Sequence, residues 1–258
     1  MKNLKLITSP FLAIQKTLGL FGFKLVRPSK EVPLDTDRQF AKIYNACRKY
    51  TMTSLERIYA LYQAVVYLEK NKIEGDIVEC GVWRGGSMMV VAKTLRLLKS
   101  NKRKLILYDT YKGMSKPGKE DKRLTRSDNL LKRWRKNEVN GYNKWTYTPL
   151  SEVKTNMQST GYPSKKIVYV QGKVEDTIPG IFIPKKIALL RLDTDWYKST
   201  FHELKSLYPR LSKNGVLILD DYGEFSGAQK AVDEYFSKIS KSVLLNRIDR
   251  AGRLVVKV

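Results

Sequence analysis

The sequence predicts an α/β fold, a mostly parallel sheet with helices on both faces, and three observations carry that prediction. From about residue 51 onward, short apolar runs alternate with segments of helical periodicity, the pattern that parallel strands joined by crossover helices leave in a chain. Runs such as Asp76–Cys80 and Ile187–Leu192 are rich in apolar residues, as expected of strands covered on both sides. The last two runs, Val243–Asn246 and Leu254–Val258, read as a strand pair that closes the sheet.

Each element has its own local reason. Leu55, Ile58, Leu61, Tyr62, Val65 and Leu68 recur at helical spacing behind a capping Thr53 or Ser54, and that helix should end near Asn71. Asp76–Cys80 is a strand, followed at once by a glycine-rich turn and a helix over Ser87–Lys99. Leu105–Tyr108 is a second strand, ending in Asp109. Residues 111–149 break the rhythm and are too long for a routine connection, so they read as an insert or lid beside the site, with Trp134 and Trp145 anchoring its packing. Strands then return at Ile167–Val170, Ile187–Leu192 and Val216–Leu219, with helices over Ser199–Leu211 and Gly227–Ile239. The strand Ile187–Leu192 is apolar except for Arg191.

A length of 258 residues suits one decorated domain. The expected division is an N-terminal helical arm or lid over residues 1–50 and a main domain over 51–258. Two cysteines, Cys47 and Cys80, form no CxxC pair. That argues against a disulfide scaffold or zinc ribbon and fits a reducing compartment, with both thiols buried as small hydrophobes. The formal net charge is +24, enough to attract polyanions non-specifically. The lysines are dispersed, however, with dense clusters only at 99–104 and 132–136, and no nucleic-acid-binding motif is present. Segment Ile7–Val26 is interrupted by Pro10, Lys16, Gly19, Gly22 and Lys24, so it does not read as a membrane span or a cleaved leader. A cytoplasmic protein is expected, and the arm is a plausible homodimer contact.

Ligands of open parallel sheets bind beyond the carboxyl ends of the strands. Here the strands end in Glu79-Cys80-Gly81, Asp109, Gln171-Gly172, Asp193 and Asp220-Asp221. Gly81, Gly85 and Gly86 let backbone approach a ligand closely, and Ser87 suits a helix cap. No G-x-G-x-x-G pattern follows the first strand, which disfavours a pyrophosphate loop, while Glu79 suits a cationic group such as an amino acid's ammonium. Asp109 stands where an acid accepts hydrogen bonds from ribose hydroxyls, a requirement shared by nicotinamide and adenosylmethionine cofactors. Neighbouring parallel strands lie about 4.8 Å apart, so Asp193, Asp220 and Asp221 are expected to converge. Such carboxylates need a cation, and an all-oxygen set favours Mg²⁺. His202, the only histidine, reads as structural.

Tyr50–Arg57, Gly75–Gly86, Leu190–Thr200, Leu207-Tyr208-Pro209, Asn214-Gly215, Asp220–Tyr222 and Ala231–Asp233 together resemble the macrocin (TylF-like) O-methyltransferase family, in that order, from about residue 35 to the C-terminus. The resemblance implies a Rossmann-like class I methyltransferase fold, with a mostly parallel seven-stranded sheet and an antiparallel closing strand. It implies S-adenosyl-L-methionine and Mg²⁺ as cofactors and a hydroxyl, notably of a sugar, as acceptor. It implies that Glu79, Cys80, Gly81 and Ser87 surround the methionine portion, that Asp109 and Thr110 serve the ribose, and that Gly172, Lys173, Val174 and Glu175 line the adenine. Asp193, Asp220 and Asp221 would hold the metal, and either Asp193 or Asp195 would take the proton. Lys112, Lys173 and Val174 depart from the family's habit, and the basic 119–149 segment has no clear counterpart.

The function expected is therefore Mg-assisted O-methylation of a sugar or glycosylated small molecule. Two other classes predict different behaviour: a nucleic-acid methyltransferase, with salt-sensitive RNA or DNA binding, and a catalytically inactive methyltransferase-like binding protein.

Overall fold

The computed structural model of the chain describes residues 37–239 and 242–258. Segment Ile7–Val26 and most of the expected arm lie outside the described residues. Residues 37–50, assigned to that arm from the sequence, belong to a unit spanning Thr36–Val258. Helix α1, Arg38–Cys47, starts at Asp37, whose side chain accepts from the Phe40 amide at 2.5 Å. Phe40 is fully buried and meets Tyr59 and Tyr62 of the next helix with ring centroids 4.9 and 5.3 Å apart. That helix, α2, spans Leu55–Lys70 and is capped by Ser54.

The alternation then runs as the periodicity predicts. Strand β1 (Asp76–Cys80) leads to α3 (Gly86–Leu97), and β2 (Leu105–Asp109) leads to the insert. The insert carries α4 (Leu130–Asn137) and a small hairpin of β3 (Glu138–Val139) and β4 (Tyr142–Asn143). Helix α5 (Leu150–Gln158), β5 (Ile167–Gln171), the one-turn α6 (Val174–Thr177) and β6 (Ile187–Leu192) follow. Helix α7 (Tyr197–Leu207), β7 (Leu211–Leu219), α8 (Ser226–Ser237), β8 (Asn246–Arg247) and β9 (Arg253–Val256) complete the body.

The sheet has seven strands in the order β5-β2-β1-β6-β7-β9-β8. The first five are parallel, and β9 runs antiparallel to both β7 and β8. The chain moves outward from β1 to β5 on one side and from β6 on the other, so the switch point falls between β1 and β6. That crevice is where the topology directs a ligand.

The larger departures from the periodicity are three. Strand β7 begins at Leu211 rather than Val216, because the chain absorbs Ser212–Gly215 as a register shift against Ile187–Leu189. Helix α7 stops at Leu207 rather than Leu211, since Pro209 converts the following residues into a tighter 3₁₀ turn. Strand β8 contains only Asn246 and Arg247, while Val243 and Leu245 pack against the core instead of pairing. Both cysteines are buried and free, and no helix among the described residues is long and apolar enough to cross a membrane.

The insert joins the body through aromatic packing. Leu130 and Trp145 from the insert, Trp196 from the turn before α7, and Phe225 and Ala228 at the start of α8 form one buried cluster, with Trp134 packed against it. The Trp196 ring meets Trp145 and Phe225 edge-on, at 5.9 and 5.2 Å between centroids. Its indole N–H donates to the Ser115 carbonyl at 2.9 Å, as that of Trp134 does to Met114 at 2.8 Å. Replacing Trp196 by Ala would remove the centre of this cluster and orphan the Ser115 carbonyl. The expected loss is about 3–5 kcal/mol in urea unfolding, and a loss under about 1 kcal/mol would show that the insert is held elsewhere.

Candidate active site

The carboxyl ends of β1, β2, β5, β6 and β7 open into a cavity of about 810 Å³, at the upper end of the usual range for small-molecule sites. One wall is the turn after β1. Gly81 adopts φ +83°, and a Cβ on it would overlap the Asp193 carbonyl. Glycine is required there because β1 and β6 come together at backbone distance. Asp109 holds the same turn from the neighbouring strand. Its Oδ2 accepts from the amides of Val82 and Trp83 at 2.6 and 3.1 Å, and its Oδ1 from that of Tyr111 at 2.7 Å. These bonds engage most of the carboxylate's acceptor capacity, so Asp109 is first a clamp on the turn, with its remaining edge toward the cavity.

The floor is acidic. Asp193, Asp195 and Asp221 each present a carboxylate oxygen within 4.8 Å of the other two. Asp195 has φ +66°, a left-handed conformation that aspartate tolerates better than most residues, and its amide donates to Asp221 Oδ2 at 3.2 Å. Desolvation, reinforced by Asp193, pushes the Asp195 carboxyl up to about 8; burial and the carboxylates of Asp220 and Asp221 raise Asp193, and burial with Asp195 and Asp220 raises Asp221.

Asp220 does not join this group, contrary to the expectation from strand ends. Its Oδ1 accepts from Arg191 at 2.5 Å and its Oδ2 is paired with Arg57. Both of its oxygens thus face guanidinium groups, and the third acid of the cluster is Asp195. Arg191 also donates to Glu79 at 2.6 Å, to Asp193 at 2.8 Å and to the Thr53 hydroxyl at 3.0 Å.

The register explains this convergence. Glu79 of β1 and Ile218 of β7 both lie opposite Arg191 of β6. Asp193 and Asp220 follow Arg191 and Ile218 by two residues, so all these side chains emerge on one face. Glu79 is therefore buried behind the turn, paired with Arg191, and off the cavity wall. Burial raises its carboxyl to about 7 against the opposing pull of Arg191, and its Oε2 has no hydrogen-bond partner among the described residues. Cys80 is fully buried in the core and does not reach the cavity either. Gly81, Ser87, Asp109, Thr110 and Gly172–Glu175 do line it. His202 bonds the Ile178 carbonyl at 2.8 Å, away from the acids.

Sequence reasoning missed the two arginines. Arg57 ties the start of α2 to Asp220 and, at 3.0 Å, to Asp249 in the β8–β9 connection. Arg191 left a readable signal, a lone cation in a buried apolar strand, which must meet acids from neighbouring strands. Replacing Arg191 by Leu leaves Glu79 and Asp220 buried beside one fewer cation. The expected cost is about 3–5 kcal/mol in denaturant unfolding, with partial recovery on adding Glu79→Gln. A loss below about 1 kcal/mol would remove Arg191 from this role.

Comparison with known proteins supplies the lineage. Residues 28–256 match the family model described as Macrocin-O-methyltransferase (TylF). The chain is 32% identical over 203 residues to the 8-demethyl-8-(2,3-dimethoxy-alpha-L-rhamnosyl)-tetracenomycin-C 4'-O-methyltransferase of Streptomyces olivaceus, covering 79% of this chain and 74% of that one. It is 29% identical over 205 residues to the mycinamicin III 3''-O-methyltransferase of Micromonospora griseorubida, covering 79% and 76%. The solved structure of the O-methyltransferase NovP superposes with a TM-score of 0.69 at 30% identity, covering 81% of this chain and 82% of that one. Calicheamicin methyltransferase CalS11 shares the fold at 18% identity, with a TM-score of 0.60 over 99% and 98%. The chain belongs to the macrocin-O-methyltransferase (TylF) family and is an O-methyltransferase enzyme.

Proposed function

We propose that this enzyme transfers the methyl group of S-adenosyl-L-methionine to a hydroxyl of a sugar or glycosylated small molecule, with a divalent cation, Mg²⁺ by donor chemistry, held at Asp193, Asp195 and Asp221. The observation that carries the reading is the meeting of these three carboxylates in the cavity that the Gly81 turn and Asp109 also line. An all-oxygen donor set suits Mg²⁺, and mutual repulsion among the acids gives a cation a reason to be there. The names of the relatives point to hydroxyls on glycosylated natural products.

Adenosylmethionine supplies an electrophilic sulfonium methyl group, and a divalent cation lowers the pKa of a hydroxyl beside it. Gly81, Ser87 and the free edge of Asp109 line the wall suited to the methionine and ribose portions, and Gly172–Glu175 the wall suited to adenine. Glu79 acts from behind that wall, keeping Arg191 in place. In this reading Asp195 would give one carboxylate oxygen to the cation and keep the other as base, because one oxygen of Asp193 already accepts a hydrogen bond from Arg191. Alignment of two reactants in a cavity shielded by the insert contributes several kcal/mol to lowering the barrier.

The test uses Asp195→Asn, because asparagine also tolerates a left-handed backbone. Methyl transfer from labelled adenosylmethionine to a panel of glycosides should fall by roughly a hundredfold or more, with adenosylhomocysteine affinity, read by calorimetry, within about threefold of wild type. Excess EDTA should abolish turnover and added Mg²⁺ restore it. Full activity in EDTA would exclude the cation, and methylation of RNA or DNA in place of glycosides would replace the acceptor class.

A further inference from the structure

The insert gives the mouth of the cavity a charge opposite to its floor. Lysine outnumbers arginine in the chain by about two to one, yet the cavity is lined by Arg57, Arg123, Arg126, Arg133 and Arg250 and only two lysines, Lys144 and Lys173. Arg57 serves the buried network, while the other four arginines gather at the insert side. The guanidinium groups of Arg123, Arg126 and Arg133 each lie 3.6 Å from the same oxygen, Asp128 Oδ2. Arg123 and Arg250 also share Glu224. Four arginines thus surround two carboxylates, which leaves a surplus of two positive charges, and among the described residues the guanidinium groups of Arg126 and Arg133 reach Asp128 only at 3.6 Å, beyond hydrogen-bond distance.

Arg133 is held rather than loose. The Arg133 guanidinium stacks on the buried Trp145 ring at 4.1 Å from its centroid. Arg126 and Arg133 also line a second cavity of about 410 Å³, whose remaining lining includes Lys132 and Lys136. A cationic path therefore leads from the reactive acids outward. Planar guanidinium groups converging on one oxygen form the geometry that binds phosphoryl oxygens in bidentate fashion, and a phosphate ester carries about two negative charges.

We infer that the acceptor is a phosphorylated sugar, its phosphoryl group bound by Arg126 and Arg133 in the place where these arginines now meet Asp128. The inference rests on the methyl-transfer reading of the same cavity and narrows its substrate. A singly charged carboxylate would leave the surplus half compensated, whereas a phosphate dianion matches it.

The experiment is calorimetry of the full chain without metal at constant ionic strength, with inorganic pyrophosphate as probe and acetate as the carboxylate control. Pyrophosphate should bind and acetate should not compete with it. Arg126→Ala, at an exposed side chain, should weaken binding by roughly tenfold, and Arg133→Gln should do the same. Lys205→Ala, which removes one exposed charge on α7, should stay within about twofold. Equal binding of acetate, or equal losses in Arg126→Ala and Lys205→Ala, overturns the inference and leaves only the general attraction of a basic protein for anions. Uridine diphosphate and glucose 1-phosphate then separate a nucleotide-linked from a simple sugar phosphate, and failure of both to displace pyrophosphate also overturns it. Adenosylhomocysteine is titrated in parallel. Its binding without a pyrophosphate response overturns the anion subsite alone, while pyrophosphate binding without it overturns the acceptor assignment together with the methyl-transfer reading.

Discussion

A single buried guanidinium organises the centre of this enzyme. Arg191 projects from the middle strand of the sheet into a space where Glu79, Asp193 and Asp220 also point. None of these groups is tolerable there alone, because an unpaired charge in a dry interior costs several kcal/mol. Together they compensate one another, and in doing so they fix the spacing of β1, β6 and β7 at the ends where chemistry is done. Arg57 extends the same network to α2 and to the loop before β9. The network sorts the acids as well: Asp220, bound to arginine at both oxygens, and Glu79, buried against Arg191, stand apart from the cluster that Asp193, Asp195 and Asp221 form.

The second constraint is steric. β1 and β6 approach so closely at their ends that Gly81 has no room for a side chain, and Asp109 holds the following turn by its amides. Trp83, Thr146 and Asp195, all cavity residues, have positive φ without being glycine. Such conformations persist where surrounding contacts over-determine them, and they concentrate at functional sites. Rigidity at this rim suits the alignment of two reactants that the proposed methyl transfer requires.

Much of the fold was legible because its physics is local. Strands Asp76–Cys80 and Ile187–Leu192 were readable to the residue, since a buried parallel strand is a short, mostly apolar run. The register shift in β7 was not, because Ser212–Gly215 reads locally as a turn and only pairing with β6 makes it part of a strand. At the site, strand-end position alone identified the cavity wall and two of the three clustered acids. Position does not say which way a carboxylate turns, or what cation claims it. Asp220 and Asp221 are adjacent in the bend that follows β7, yet one turns to Arg57 and Arg191 and the other to the floor. Glu79 likewise ends its strand as an acid but turns to the buried face. The family resemblance located these positions without supplying that orientation.

Charge separation across the cavity follows from where the two sets of residues originate. The acids come from strand ends of the common fold, so their positions are set by the sheet. The arginines come mostly from the insert, which is joined to the body by the aromatic cluster around Trp196 and by backbone bonds of Lys122 and Leu124 with Ser226 and Glu224. An acceptor with a negative group at one end and a hydroxyl at the other would be drawn in by the arginines and repelled by the acid floor until a cation neutralises it. Orientation would then be decided before the hydroxyl reaches the reactive acids, so that acceptor choice resides in the insert and the chemistry in the sheet.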